Sequence, residues 1–346
     1  MQVDCGAIES SGIIPIHSSR ASAMIAPMAS ISSQHSANVE SNDDMVRIEG
    51  GSFHMGSDRH YSEEAPRHPV RVDPFWIDRA PVTNREFAAF VEATGHVTTA
   101  EIAPDAKDYP GALPEMLKAG SLLFVPTEYP VDTTDWSQWW TFCFGADWRH
   151  PLGPDSSIAD LMDHPVVHVT HADATAYAEW VGKSLPTEAQ WEFAAWAGMD
   201  DHEFAWGDEL EPSGRHMANV WQGEFPCENL LSDGYERTSP VGSYPANGLG
   251  LFDMIGNVWE WTDDWYRARH PAAKDKPCCI PVNPRGGPRS DSHDRRDAIA
   301  IPRKTLKGGS HLCAPSYCRR YRPAARHPQP IDSSSSHIGF RCVRND

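Results

Sequence analysis

Long apolar runs are missing from this chain of 346 residues, and no stretch approaches the length of a transmembrane helix. Basic charge is scarce too. Lys and Arg total 30 against 48 Asp and Glu, a formal charge of −18 at pH 7. That balance argues against nucleic acid and against an anionic membrane surface, both of which demand a basic face. An acidic protein would instead tolerate a partner peptide carrying arginine. Cysteine is sparse: the eight are Cys5, Cys143, Cys227, Cys278, Cys279, Cys313, Cys318 and Cys342. A secreted disulfide framework is therefore not expected, and the adjacent Cys278 and Cys279 read as ordinary loop thiols. None of the 17 histidines falls in an H-E-x-x-H motif; His150, His164, His168 and His171 are scattered over loops and a helix start. No repeat or low-complexity break interrupts residues 45–346, so one domain with a substantial core is expected there.

Residues 1–44 are rich in Ser and Ala, without periodicity. They lack a basic start and a continuous apolar region, so a secretory signal is not expected and a disordered extension is; initiation at Met24, Met28 or Met45 is the alternative. Beyond them, three helices open with a threonine cap and a matching acid or amide three residues on: Thr83 with Glu86, Thr170 with Asp173, Thr187 with Gln190. Gly95, Gly182 and Gly198 are the expected stops. Spacings of three and four predict one apolar face each, through Phe87, Phe90 and Val91, through Tyr177, Ala178 and Val181, and through Trp191 with Ala194 or Ala195. Val70 and Val72 alternate as a strand would, as do Ile48 and the residues around Phe53. Gly (25) and Pro (29) together supply 54 residues, many in turn-like clusters. Thirteen tryptophans are expected to pin the long loops by large-area burial. The class is α+β with much irregular structure.

The chemistry concentrates in KGGSHLCAPSYCRRYR, residues 307–322. Cys313 and Cys318 form a C-x4-C pair between a glycine pair and an arginine cluster. Arg319, Arg320 and Arg322 would favour thiolates, the form that binds metal or reacts. Two soft sulfur donors with no carboxylate between them suit a thiophilic ion such as Cu(I) better than Mg or Ca. A local disulfide, or half of a zinc site completed by His311 and Cys342, fits the spacing as well. Spacing alone does not choose among the three.

The surrounding boxes do. KGGSHLCAPSYCRRYRPAAR and the ending SSSSHIGFRCVRND, with LPTEAQWEFAAWAG, ANVWQGEFP, PANGLGLFDMIGNVWEW, WRHPLGPDSS and VRIEGGSFHMGSD upstream, resemble the formylglycine-generating enzymes, or sulfatase-modifying factors. The resemblance runs from near Met45 to the chain's end. The GFRC ending and the GNVWEW box argue for the fold; the intact C-x4-C pair marks the enzymes. The resemblance implies the formylglycine-generating enzyme fold, related to C-type lectins, over 45–346. It implies a copper-dependent oxidase that converts the cysteine of an unfolded Cys-x-Pro-x-Arg segment of a type I sulfatase to Cα-formylglycine, with O2 and a thiol reductant. Cys313 and Cys318 would hold Cu(I), a Cβ hydrogen of the substrate cysteine would be removed, and the resulting thioaldehyde would hydrolyse.

On the same resemblance, Ser310 and Trp259 line the oxygen pocket, and Tyr317, Trp139 and Arg149 neighbour the substrate groove. From the residues alone, Ser310 is as well a turn cap, Trp259 a core aromatic, and the other three structural. The resemblance also implies two structural calcium sites, one from Asn219, Val220, Asp233 and Tyr235, the other from Asp253, Gly256, Val258 and Glu260. Oxygen-only donors of that kind suit calcium, though neither set is an EF-hand. Secreted animal relatives carry disulfide staples at positions that here read Ala178, Ala195 and Pro323, leaving Cys342 alone; a bacterial cytoplasmic enzyme, acting as a monomer, is expected. Two rivals remain. A calcium-stabilised lectin-like binding module would have no need of the cysteine pair. An iron-dependent sulfoxide synthase would need a helical domain for which the head is too short.

Overall fold

The computed structural model describes residues 44–271, 280–294, 296 and 299–346. The head, apart from Asp44, and with it Cys5, and the pair Cys278 and Cys279 lie outside the described residues. Along the chain run β1 (Met45–Ile48), β2 (Gly51–Met55), β3 (His68–Val72), β4 (Phe75–Asp78), α1 (Asn84–Thr94), β5 (Gly120–Phe124) and β6 (Trp140–Phe144). Then come α2 (His171–Trp180), α3 (Glu188–Trp196), β7 (Trp259–Trp265), β8 (Arg303–Lys307), β9 (Arg326–Pro330), β10 (Ile338–Gly339) and β11 (Val343–Asn345). Residues 145–170 and 197–258 hold no α-helix or strand of these, so the α+β class with long loops stands.

All three capping boxes form. Thr83, Thr170 and Thr187 each accept from the backbone three residues on, and Glu86, Asp173 and Gln190 reach back to the cap's N–H. Gly95 closes α1 in the left-handed region. The other two stops differ slightly from expectation. Val181 caps α2 with Gly182 following, and Ala197 itself takes the left-handed turn after α3, one residue before Gly198. The faces of α1 and α2 bury Phe87, Phe90, Val91, Tyr177 and Ala178, while Val181 packs against the core half-buried.

α3 departs from the one-face pattern. Eight of its nine residues are buried, Glu188, Gln190 and Glu192 among them. The helix touches β2 and β3 as well as β7 and β8, so no flank is left for solvent. Its charged groups are buried because each has a partner: Glu188 takes both Arg326 nitrogens at 2.6 and 2.8 Å, and Glu192 takes Lys307 Nζ at 2.8 Å. A sheet ordered β10-β7-β8-β9 stands beside a smaller one ordered β1-β4-β11, with hairpins β2–β3 and β5–β6 alongside. Trp139, Trp148, Trp191 and Trp261 are fully buried. Trp148 packs edge-on against Phe87 at 5.1 Å, which ties the 145–170 loop to α1.

Candidate active site

β8 and β9 are antiparallel neighbours, with Lys307 opposite Arg326. The chain between them, residues 308–325, is an excursion that carries both cysteines of the pair. It leaves β8 through Gly308 and Gly309, both with positive φ. Gly256 N–H donates to Gly308 O at 3.0 Å, His311 N–H to Asn257 O at 3.0 Å, and Trp221 N–H to Cys313 O at 3.0 Å. Two upstream boxes of the sequence thus hold the excursion by its backbone. A single helical turn follows, with Cys318 N–H donating to Ala314 O at 2.9 Å. That turn folds Cys318 back over Cys313, and the two Sγ atoms stand 3.4 Å apart as free thiols.

Cys313 is buried in the core cluster that includes Trp259, Trp261, Tyr321 and Cys342. Burial pushes its thiol well above the ordinary value. Cys318 is held below it, first by the hydrogen bond from Cys313 and then, against its burial, by the charge of Arg320. Arg320 Nη1 lies 3.8 Å from Cys318 Sγ while its Nη2 donates to Glu63 at 2.6 Å. The guanidinium stacks on Tyr61 at 3.8 Å. The expectation that all three arginines favour the thiolates is corrected here. Arg319 faces Glu203 at 3.5 Å, and Arg322 is buried against Glu64. Of the two, Cys318 is the sulfur favoured as thiolate and Cys313 the one favoured as thiol.

A zinc shell is not assembled. Among the described residues, no third His, Cys, Asp or Glu offers a donor atom within 4.8 Å of both sulfurs; the grouping that meets that spacing is His54, Asp200 and Asp201, where Arg67 sits 2.6 Å from Asp201. His311 turns its Nδ1 to Asn257 O at 2.8 Å, and its Nε2 is buried with no hydrogen-bond partner. Burial holds His311 and His327 down at about 4, so both are neutral at ordinary pH. At 3.4 Å the two Sγ atoms are not bonded, so the structure holds the pair as two thiols rather than a disulfide. Two soft sulfurs, with no further protein ligand among the described residues, are a donor set that fits Cu(I).

Ser310 is fully buried, and its Oγ accepts from Leu312 N–H at 3.3 Å. Trp259, on β7, lies in the same cluster as Cys313, with its ring 5.6 Å from that of His327. Tyr317 and Trp139 are brought together: their rings meet edge-on at 5.5 Å, and Tyr317 stacks on Phe225 at 4.4 Å. Trp139 and Phe225 are both buried, so Tyr317, 37% exposed, is the wall's accessible part. Arg149 stands apart from this wall in its contacts. It pairs with Glu101 at 2.8 Å and lies over Trp148 at 4.1 Å. Sequence reading missed Phe225, Tyr61 and Glu63. Phe225 sits inside one of the quoted boxes, but nothing in its spacing links it to residue 317.

The first oxygen set is gathered in one loop region. Tyr244 Oη donates to Asp233 Oδ2 at 2.8 Å, Tyr235 N–H donates to Asp233 Oδ1 at 3.1 Å, and Asn219 Nδ2 donates to Arg237 O at 2.8 Å. Asp233 has no cationic partner among these contacts, and the Gln222 amide bridges Val220 O and the Asp233 N–H. Carboxylate, amide and carbonyl oxygens there fit a hard cation. The second set does not fit one. Both Glu260 oxygens accept from Arg341 at 2.7 Å, Oε2 also accepts from Trp191 Nε1 at 2.8 Å, and Asp253 O accepts from Arg341 at 3.2 Å. The guanidinium already supplies the positive charge that calcium would bring. The Asp253 carboxyl, raised to about 6 by burial, accepts from Gly242 N–H at 2.7 Å.

A mixed α+β domain whose excursion between two core strands presents a free thiol pair, with Cys318 the more acidic, beside an aromatic wall defines a thiol-based redox or soft-metal protein. A family model described as the sulfatase-modifying factor enzyme 1-like domain matches residues 31–346. The formylglycine-generating enzyme of Mycobacterium tuberculosis is 53% identical over 305 residues, covering 87% of this chain and 97% of its own. That of Streptomyces coelicolor is 43% identical over 327 residues, covering 92% and 95%. The structure of PvdO from Pseudomonas aeruginosa superposes with a TM-score of 0.54 at 25% identity, covering 87% of this chain and 94% of that one. This chain belongs to the sulfatase-modifying factor family of formylglycine-generating enzymes. A bovine relative named inactive Cα-formylglycine-generating enzyme 2 is also 35% identical, covering 86% and 85%. Overall likeness to the family is therefore shared with a protein named inactive, and the site has to carry the case for activity.

Proposed function

We propose that this protein is an oxidase that converts the cysteine of a Cys-x-Pro-x-Arg segment in a type I sulfatase to Cα-formylglycine, with O2 and a thiol reductant. The observation that carries the reading is the free Cys313–Cys318 pair at 3.4 Å, with one sulfur favoured as thiolate and no third protein ligand beside it among the described residues. Cys313 and Cys318 would hold copper, which when bound supplies the redox chemistry that no side chain offers. Arg320, fixed by Glu63 and Tyr61, balances the charge of Cys318. Tyr317, backed by the buried Phe225, offers an apolar surface against which an extended substrate segment would lie, orienting its thiol toward the pair. Ser310 and Trp259, both buried, would shape the oxygen pocket and keep water out.

Calcium at Asn219, Val220, Asp233 and Tyr235 is part of the same reading, as a structural ion. So is a reducing, cytoplasmic setting. Cys342 is a buried free thiol in the core cluster that also holds Ala178, and the staple positions named by the resemblance carry Ala178, Ala195 and Pro323 rather than cysteines. Among the described residues no helix is long and apolar enough to cross a membrane.

Mass spectrometry tests the proposal directly. Protein loaded with Cu(I) is incubated with a Cys-x-Pro-x-Arg peptide, a thiol reductant and air. The peptide should lose the mass that separates cysteine from formylglycine, and copper-free protein should leave it intact. An unchanged peptide would overturn the reading, and full conversion without copper would overturn the metal. A non-reducing mass map of the same preparation should find Cys342 unbridged.

A further inference from the structure

A cavity of about 870 Å³ opens beside the β5–β6 hairpin, and neither Cys313 nor Cys318 lines it. Ile102, Met116, Leu117, Phe142, Phe144 and Ile301 make its walls largely apolar. Met116 is 58% exposed and Phe142 and Phe144 are 45% and 44% exposed. Grouped large apolar surface of this kind marks an interaction site rather than ordinary surface, and the volume lies in the range of ligand pockets.

The groove's position says what would fill it. β5 and β6 pair from Gly120 opposite Phe144, at the groove, to Phe124 opposite Trp140 at the other end. Phe124 and Trp140 belong to the aromatic cluster of Trp139, Phe225 and Ala314, on which Tyr317 stacks beside Cys318. Residues 330–338 run the same way. Pro330, Ser333 and Ser334 line the groove, Ser335 bridges Leu122 in parallel, and Ile338 pairs with Trp259. The hairpin and this segment thus connect groove to site over four residues of strand, about 13 Å. The segment covers the β5 side of the hairpin, whereas β6 has no further sheet partner among the described residues. An edge of that kind can accept an extended chain.

We propose that this groove docks a second, apolar part of the sulfatase polypeptide, about four to eight residues from the target cysteine, the reach of an extended chain at roughly 3.3 Å per residue. The inference rests on the proposed oxidase function. Continuity decides the occupant: a polypeptide whose cysteine lies at the thiol pair has its flanking residues carried along the hairpin into the groove.

Steady-state turnover of three peptides by the full-length enzyme tests it. The short peptide holds Cys-x-Pro-x-Arg and little else; the long ones add about ten residues on one side or the other, with apolar residues in that window. One long peptide should show a KM about tenfold below that of the short one, the effect of burying one or two apolar side chains. Phe142→Ser with Phe144→Ser should erase the difference and leave short-peptide turnover unchanged, which also reports an intact fold. Replacing the apolar residues of the long peptide by serine in the wild-type assay should do the same without any protein variant. Equal KM for all peptides, or a serine-substituted extension as good as the apolar one, overturns the proposal. So does a low KM for the long peptide that persists in the double variant, since the extension would then bind elsewhere. If no peptide is converted, the function reading fails instead, and the affinity of labelled long against short peptide still decides the groove.

Discussion

At the scale of single residues, the chemistry turns on how one proton is shared by two sulfurs. Burial alone would keep both Cys313 and Cys318 protonated. The hydrogen bond between them and the guanidinium of Arg320 make one thiolate favourable and a second costly. A metal that replaces the shared proton needs both ligands at once. Cys313→Ser, Cys318→Ser and the double variant should therefore be almost equally inactive in peptide turnover, a gross failure of additivity. Cys342→Ala should retain most activity, since Cys342 spends its contacts on the Asp78 side of the core. Substantial turnover in Cys318→Ser would show that copper has another ligand, with His311 and its unpartnered Nε2 the first suspect.

At the scale of elements, the caps were legible because each is a contact between residues three apart, and all three formed. The excursion between β8 and β9 was not, since its shape depends on chain crossings. Gly309 is the tightest of these. A Cβ there would meet Arg320 O at 2.8 Å, and its φ of +73° is unfavourable to any side chain. Gly309→Ala should push the run before Cys313 away from the run after Cys318, with strain of about 1–3 kcal/mol and a loss of turnover larger than the loss of stability. Gly95→Ala is the control. It shares the positive φ but has nothing within 4 Å, so it should lower the melting temperature by the equivalent of about 1 kcal/mol and leave turnover alone. Equal activity in the two variants would show that the crossing does not position the cysteines.

At the scale of the whole molecule, buried charge is the organising feature. Glu188 with Arg326, Glu192 with Lys307, Glu64 with Arg322 and Glu260 with Arg341 are all paired inside the core. Arg341 decides between the two calcium sets. Added calcium should raise the melting temperature through the Asp233 loop and EDTA should lower it; an ion that binds only the folded state adds about 2.7 kcal/mol at a hundred times its Kd. Asp233→Asn should abolish that response. Glu260→Gln should cost about 3–5 kcal/mol by leaving Arg341 unpaired, yet keep the calcium response. A melting temperature indifferent to calcium in the wild type would remove the first site, and loss of the response in Glu260→Gln would restore the second.

The sequence by itself determined whatever rests on near neighbours or on residue type. The three capped helices, the alternation in β2 and β3, the soft-donor pair and the family that its boxes resemble were all readable from the chain. Tertiary structure alone decided the rest. It showed that α3 is buried on nearly every side and that Arg320, rather than Arg319 or Arg322, reaches the thiolate. It also put Phe225 beside Tyr317 and Arg341 against Glu260. Each of those facts joins residues at least 81 positions apart or depends on where a flexible side chain finds its partner. Arg322 illustrates why. It lies four residues from Cys318 in the chain, but Glu64, more than 250 residues away, binds it more strongly because both are buried where water cannot compete. Sequence distance sets which contacts are cheap to form, and burial sets which are worth most once formed.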